Sequence, residues 1–511
     1  MSLAKVNSMG LMGLDGYLVE VQIDLSNGMP SYEIVGLPNA AVREAKERVR
    51  AAIKNIGAAF PTKRIIVNLA PANYKKEGVV YDLPIAVALL CATAQIAESE
   101  MQDTVFLGEL SLDGKLNPVS GVLPMTIAAY QHGVKNIFVP SENASEAAVV
   151  EGINVYAAES LTDVVNHFND IKKIEPFKKD YSAMFENTSD ALLDFCDVKG
   201  QENAKRALEI AAAGNHNVLM IGSPGTGKTM LAQRISSILP DLTFDEALEI
   251  SKIHSIAGTL PGDCPLVTKR PFRSPHHTIS SVGLSGGGTI PKPGELSLAH
   301  NGVLFLDELP EFKRDVLEVM RQPLEDGKVT ISRVNATLTY PCNFMLVASM
   351  NPCKCGYLGD PKRQCTCTPA EIVRYRNRIS GPLLDRIDIQ VEVGNVDYEK
   401  LSSEESSEKS SEIKKRVNRA REIQLERYKN YNIYSNSQLT PALMQEFCRL
   451  GEKENETLKS AFERLGLSAR AHSRILKVAR TIADMDGEKD ISVIHLFEAI
   501  QYRDLDRKYF E

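Results

Sequence analysis

The densest chemistry in the sequence lies in Gly222-Ser223-Pro224-Gly225-Thr226-Gly227-Lys228-Thr229, which fits G-x-x-x-x-G-K-[ST] and follows the apolar run Asn217–Ile221. Strand, glycine loop and helix form the context this pattern requires. Backbone N–H groups turn inward around phosphate oxygens, Lys228 neutralises the β and γ phosphates, and the Thr229 hydroxyl ligates Mg2+. Roughly 80 residues later, Val303-Leu304-Phe305-Leu306-Asp307-Glu308 puts two carboxylates at the end of an apolar strand. Asp307 suits the Mg2+ shell, and Glu308 suits polarisation of a water for in-line attack on the γ-phosphate. A bare Asp-Glu pair also reads as a solvated acidic turn; beside a phosphate loop it points to ATP hydrolysis and not to nucleotide binding alone.

A second cluster is Cys353-x-Cys355 followed, after nine residues, by Cys365-x-Cys367, in a loop rich in Gly, Pro and Lys. Four thiolates as two short chelating pairs suit a closed tetrahedral zinc site, although the spacing is tighter than the commoner C-x2-C. Free surface cysteines or redox pairs are the alternatives. Asn351 lies two residues before Cys353, so such a clamp would hold that segment and offer Lys354, Lys362 and Arg363 to a polyanion. His276-His277 reads as structural or nucleotide-sensing, because adjacent side chains diverge and no carboxylate is close in sequence.

The elements that must position these groups fall into three stretches. Residues 1–170 alternate strand-like runs (Tyr17–Ile23, Arg64–Leu69, Thr104–Leu107, Asn136–Val139) with helix-like ones (Ala40–Asn55, Leu83–Ala97, Pro124–His132), the rhythm of an α/β domain. Residues 171–192 are charged, without apolar periodicity, and read as a linker. Residues 193–396 form a second α/β unit with strands at Asn217–Ile221, Gly302–Leu306, Asn343–Ser349 and Ile387–Val393. Residues 397–511 open on the polar connector SSEESSEKSSE (402–412) and continue with helical spacing. The basic helix Ile413–Asn430 keeps Ile413, Val417 and Ala420 on one face and is a lid helix with a solvated side. Alternation around Arg333 to Ala336 predicts a β-hairpin over Lys328–Thr339, and Ser285–Thr289 with Lys292 predicts a flexible glycine loop.

Composition bounds the partners. The chain has 511 residues, 43% of them apolar, with 33 Gly and 25 Pro, which excludes collagen-like and largely disordered classes. The longest apolar stretch, Leu83–Ala97, is too short to span a bilayer, and the N-terminus lacks a secretory pattern, so a cytoplasmic protein with no membrane partner is expected. The net charge of −7 means that any nucleic-acid contact must come from local basic groups.

The phosphate loop, the Asp307-Glu308 pair, Asn351 at the end of Phe344–Met350, and Gly381-Pro-Leu-Leu-Asp-Arg386-Ile-Asp388 together resemble AAA+ ATPases of the magnesium-chelatase and MCM group. With Phe272-Arg-Ser-Pro-His-His277, Gly286-Gly-Gly288 and Pro293–Asn301, the chain is identified as a member of the ComM/YifB family of Mg-chelatase-like proteins. The resemblance implies that Asn351 is sensor 1, which orients the attacking water, that Arg386 is an arginine finger, and that Arg470 in Leu467-Ser-Ala-Arg-Ala-His472 is sensor 2. A finger reaches a neighbour's γ-phosphate, so the implied form is a homo-oligomeric ring, a hexamer. A salt bridge to Asp385 or Asp388 is the other reading of Arg386. Val198 and Gln201 resemble the segment flanking adenine.

Residues 1–170 resemble the Lon proteolytic domain through Gly108–Gly114 and Asn117–Gly121, yet Ile85 stands at the nucleophile position and Leu123 at the lysine position. Neither can attack a carbonyl or move a proton, so peptidase activity is not expected. Lys54, Lys63, Arg64, Lys75 and Lys76 read as solvated lysines and arginine or as a basic face. The implied architecture is a Lon-protease-like α/β domain, an AAA+ P-loop core and a helical C-terminal lid. The implied activity is an ATP-driven ring motor on single-stranded or branched DNA, similar to ComM-type helicases that act in recombination of incoming strands. Its cofactors are ATP, Mg2+ and structural Zn2+. Lys292 and Arg333 would contact phosphates and Asn335 sugar or base edges. A metal-chelatase motor subunit and a protein-remodelling ATPase are the competing readings.

Overall fold

The computed structural model describes residues 2–97, 101, 103–179, 193–260, 265–288, 291–333, 336–396, 407–431, 433–465 and 468–510. The chain divides into two compact units, Met1–Asn187 with Phe244–Thr268, and Thr188–Thr243 with Lys269–Glu511.

The first unit is a mixed seven-stranded sheet. Its strands are β1 (Ser2–Met12), β2 (Asp15–Ser26), β3 (Ser31–Val35), β4 (Arg64–Ala70), β5 (Thr104–Phe106), β6 (Asn136–Pro140) and β7 (Asn154–Ala158), in the order β3-β4-β2-β1-β5-β6-β7. Val19, Val21, Ile23 and Leu25 alternate along β2 and are buried together, the period-two signature of a strand with one core face. The helix Ala40–Asn55 is capped by Asn39, whose Oδ1 accepts from the Val42 N–H at 2.9 Å, and it buries Val42, Ala45, Val49, Ala52 and Ile53.

Several expectations are corrected in this unit. The helix expected over Leu83–Ala97 is Asp82–Ala92; the chain leaves it at Thr93 and turns through Ala94 at φ 58°. Ile85 and Leu123 are fully buried, so their aliphatic side chains fill the core. Lys76 is buried and donates to the carbonyls of Pro71 and Tyr74, which removes it from any basic face. Phe177, in the expected linker, bridges β7 through its N–H to the Val155 carbonyl at 2.7 Å. The helix Phe244–Ala257 belongs to this unit, although the sequence assigns it to the nucleotide-binding region: the Gly121 N–H donates to the Ser255 carbonyl at 3.1 Å, and Ser255 Oγ donates to the buried Glu146.

The second unit is built on a five-stranded parallel sheet of β8 (Val218–Ile221), β9 (Phe272–Arg273), β10 (Val303–Leu306), β13 (Met345–Met350) and β14 (Ile389–Glu392), ordered β9-β10-β13-β8-β14. Between β10 and β13 the hairpin β11 (Lys328–Arg333) and β12 (Ala336–Pro341) pairs from Lys328↔Pro341 to Arg333↔Ala336. All residues of β8, β10 and β13 are buried, which is why these strands read as apolar runs without alternation. The first strand in sequence, β8, lies between the fourth and fifth, so the sheet's topological switch point falls at its carboxyl end. The C-terminal region is helical, with Ser410–Tyr428, Pro441–Phe447, Glu452–Leu465, Ala469–Asp486, Val493–Gln501 and Asp504–Tyr509. Ile413, Val417 and Ala420 face the core. Among the described residues no helix is long and apolar enough to cross a membrane.

The glycine element expected as a loop in the helix after the phosphate loop is placed and shaped differently. It is a two-stranded ribbon, Gly286–Gly287 with Lys292–Pro293, interrupting the helical segment between β9 and β10. It packs on the hairpin: Tyr340 Oη donates to the Pro291 carbonyl at 3.0 Å, and a Cβ at Gly286 would lie 2.8 Å from Ile331.

Candidate nucleotide site and cysteine centre

The phosphate loop sits at the carboxyl end of β8 and opens directly into the helix Lys228–Arg234. Lys228 Nζ, buried in the loop, donates to the carbonyls of Gly222 (2.7 Å) and Ser223 (2.9 Å) and to Asn351 Oδ1 (3.2 Å). Burial lowers the Lys228 ammonium pKa, and the charges of Asp307 and Glu308 oppose that shift. Thr229 Oγ1 donates to Asp307 Oδ2 at 2.7 Å, so the two groups expected around Mg2+ already converge. The residues present therefore fit that cation: one hydroxyl and one carboxylate, both hard oxygen donors, at the mouth of the loop.

Ser349, one residue from the end of β13, donates to Asp307 Oδ1 and accepts the Glu308 N–H at 3.2 Å. Glu308 stands at φ 54°, a left-handed conformation that costs a non-glycine residue about 1–3 kcal/mol. That turn leaves the carboxylate exposed beyond the buried strand. Lys228 with Asn351, and Thr229 with Asp307 and Ser349, thus form two hydrogen-bonded sets joined through the adjacent residues 228 and 229, with Glu308 at the edge of the second.

Next to it lies a cavity of about 430 Å3 lined by Val198, Gln201, Pro224, Gly225, Thr226, Gly227 and Met230, with Tyr357, Asp360, Lys362, Arg363 and Asn395. Gln201 is pinned by its side-chain N–H to the Gly394 carbonyl (2.6 Å) and, more weakly, the Thr226 carbonyl (3.4 Å). Val198 is buried and its carbonyl accepts from Ser407 Oγ at 2.9 Å.

The four cysteine sulfurs lie within 4.8 Å of one another. Cys353–Cys355, Cys355–Cys365 and Cys353–Cys365 are separated by 3.4, 3.6 and 3.7 Å, and Cys367 Sγ accepts the Cys355 N–H at 3.4 Å. Zn–S bonds of about 2.3 Å in a tetrahedron place sulfurs roughly 3.8 Å apart, so the donor set and its spacing fit zinc and are far from disulfide length. Burial opposes ionisation of Cys355, yet N–H groups of Tyr357 and Thr366 and the thiols of Cys353 and Cys367 stabilise its thiolate and bring its pKa down to about 5. Among the described residues His276 and His277 belong to no such set; their rings lie tilted by 36° with centroids 4.0 Å apart, and His276 Nδ1 meets Thr278 Oγ1 at 2.9 Å.

The cysteine loop closes on the phosphate loop. A Cβ at Gly356 would fall 2.6 Å from the Pro224 ring, and Asp360 Oδ2 accepts from Asn395 Nδ2 at 3.1 Å. Asp360 is held below the usual carboxylate range, first by the Lys362 N–H and further by Asn395 and Ser223. Lys362 and Arg363, expected to be offered to a polyanion, line the cavity beside the phosphate loop, and Lys354 is exposed.

The two expected arginines lie elsewhere. Arg386 pairs with Glu325, not with Asp385 or Asp388, and its Nη1 donates to the Pro382 carbonyl at 2.6 Å. Arg470 is exposed and donates to Asp385 Oδ2 at 2.8 Å, so both arginines share one surface. Lys292 is exposed on the glycine ribbon; Arg333 ends β11, and Asn335 lies outside the described residues. Sequence reasoning missed Tyr357, Asp360, Asn395 and Ser349. A serine one residue from the end of an apolar strand gives no signal until the neighbouring strand is known to lead into Asp307.

Comparison with known proteins covers the whole chain. The family described as "Magnesium chelatase, subunit ChlI" matches residues 194–401, "Subunit ChlI of Mg-chelatase" matches 21–143, and its C-terminal family matches 407–503. The competence protein ComM of Haemophilus influenzae is 46% identical over 98% of both chains. The uncharacterized protein YifB of Salmonella typhimurium is 45% identical over 99% of this chain and 98% of its own. A magnesium-chelatase 38 kDa subunit of Rhodobacter capsulatus is 25% identical over 31% of this chain and 50% of its own.

Proposed function

This chain belongs to the ComM/YifB family of magnesium-chelatase-like AAA+ motor ATPases, and from that premise we propose that it is a ring-forming, cytoplasmic DNA motor, a helicase or branch-migration factor in recombination or natural transformation. ATP binds with its phosphates on the loop Gly222–Thr229 and its base toward Val198 and Gln201. Thr229 and Asp307 hold Mg2+, which neutralises phosphate charge. Glu308 takes the proton of the attacking water, and Asn351, tied to Lys228, orients that water. Zinc held by Cys353, Cys355, Cys365 and Cys367 acts structurally, as a cross-link of the loop.

The observation that carries the ring is the position of Arg386. Its carbonyl accepts from Asn217, the residue before β8, whereas the phosphate loop begins after β8 ends. Four strand residues separate them, about 13 Å at 3.3 Å per residue, so the Arg386 backbone lies at the end of β8 away from the phosphate loop. Together with Arg470 it is offered to a neighbouring subunit's γ-phosphate, which makes hydrolysis depend on a closed homo-oligomer, a hexamer.

Movement reaches DNA through the paired ribbons. The hairpin β11–β12 lies in the chain between the strands ending at Asp307 and Asn351, and its Tyr340 holds the ribbon that bears Lys292. Lys292 and Arg333 contact phosphates, and Asn335 reaches sugar or base edges. The test measures ATP hydrolysis by the full chain without DNA and with single-stranded, duplex and forked DNA. Stimulation, greatest on forked DNA, is expected; equal rates in all four conditions refute the DNA motor and favour protein remodelling or a chelatase role.

A further inference from the structure

We propose that the cysteine loop is a wall of the nucleotide site: Lys362 and Arg363 are nucleotide-contacting cations, and the four-sulfur centre is the brace that keeps them against the phosphate loop. The proposal rests on reading the 430 Å3 cavity as the ATP site and assigns the part of its lining that the cysteine loop supplies.

Three features converge. The loop is seated on the phosphate loop where Gly356 meets Pro224, a contact too close for any larger residue in that left-handed position (φ 88°). The acidic groups in the lining have their charge engaged: Asp197 pairs with Arg234 at 3.0 Å, and Asp360 Oδ1 accepts the N–H groups of Lys362 (2.7 Å) and Arg363 (3.0 Å) while its Oδ2 accepts from Asn395. Arg363 is pre-set, its guanidinium 5.1 Å over the Tyr357 ring with Nη1 donating to Tyr357 Oη at 2.7 Å. A neutral hydroxyl and an aromatic face hold the cation without neutralising it. A nucleoside di- or triphosphate entering this cavity therefore meets the phosphate-loop residues Pro224 to Gly227 and, from the cysteine loop, the cations Lys362 and Arg363, of which Arg363 is held in place by Tyr357. Cys355 and Cys365 flank the segment that carries all four lining residues, so joining their sulfurs closes a nine-residue span and fixes where those residues stand.

The test is a titration of the full chain with N-methylanthraniloyl-ADP, followed by fluorescence. Arg363→Gln should weaken binding about tenfold, as loss of one charge-assisted contact does, and Arg363→Lys should restore most of it. The double change Cys365→Ser, Cys367→Ser should weaken binding by as much or more while the thermal transition of the sheet domain persists. Both cations are exposed, so a melting curve checks that each variant stays folded. If Arg363→Gln and Lys362→Gln both bind like wild type, the wall is refuted. If the arginine variant weakens and the cysteine variant does not, the brace is refuted. If wild-type protein binds no nucleotide, or Lys228→Ala binds it unchanged, the ATP-site reading itself fails.

Discussion

The side-chain amide of Asn217 donates to the Arg386 carbonyl at 2.8 Å, at the end of β8 opposite the phosphate loop. The same side chain accepts the Leu346 N–H at 2.8 Å, and its backbone carbonyl accepts the N–H groups of Asp388 and Ile389, each at 3.0 Å. One asparagine thus locks three parallel strands in register and fixes where the arginine leaves the sheet. Mixing Arg386→Ala with Lys228→Ala subunits should then recover turnover that neither has alone, because one supplies the arginine and the other the phosphate loop. Mixed rings that form and stay inactive would overturn the role in trans.

Glu308→Gln is expected to bind ATP like wild type and to lose turnover by about 10²–10⁴-fold. The exchange keeps the backbone N–H that meets Ser349 and Asp307, so the network around Lys228 and Thr229 stays intact. Turnover near wild type in a steady-state phosphate-release assay would remove the general-base assignment.

The groups that show plainly in the sequence are those whose chemistry depends on neighbours in the chain. Gly222–Thr229 must be contiguous to wrap a phosphate, and the cysteines come as two chelating pairs, so both clusters are readable as strings. The parallel core strands are readable because burial on both faces forces apolar runs such as Val303–Leu306. What the string hides is set by packing between distant segments. Nothing in the composition of Phe244–Ala257 says that its helix completes the N-terminal unit, where Ser255 meets the buried Glu146. Likewise Lys362 and Arg363 read as cations offered to some polyanion, and only the contact of Gly356 with Pro224 brings their loop to the phosphate loop.

Asp388 links the strand ends to the helical region: buried, it pairs with Arg474 and meets His216 Nδ1 at 3.4 Å. Burial alone would raise its carboxyl pKa, but the charges of Arg474 and His216 hold it well below the usual range. A depressed folded-state value means its stabilisation is complete above the unfolded value of about 3.9 and is lost as pH falls below that. Asp388→Asn should cost about 3 kcal/mol at pH 7 in urea unfolding, and flatten the acid side of the stability profile. A loss under about 1 kcal/mol would show the pair to be dispensable.

Protein purified without chelators should carry one zinc per chain, and Cys355→Ser or Cys365→Ser should release it. The sulfur separations of 3.4–3.7 Å within Cys353, Cys355 and Cys365 are close to the roughly 3.8 Å that a tetrahedral zinc site would require. Elemental analysis that finds no stoichiometric metal would refute the assignment.

Arg333→Ala should leave basal ATPase close to wild type, weaken its stimulation by DNA and abolish strand displacement. Arg333 ends β11 at the register pair Arg333↔Ala336, the far tip of a hairpin whose base is fastened by the Cys342 N–H to the Gly327 carbonyl at 2.9 Å. From that base the chain runs into β13 and on to Asn351, so in the proposed coupling a shift where Asn351 meets Lys228 would tilt the hairpin, and Tyr340 would pass the tilt to the ribbon bearing Lys292. Loss of one phosphate contact should also lower the slope of log affinity against log salt by about one. A turn arginine that merely stabilises the hairpin makes the opposite prediction, a lower melting temperature with DNA coupling and salt slope unchanged. That pattern would take DNA off the hairpin and put the protein-remodelling reading first.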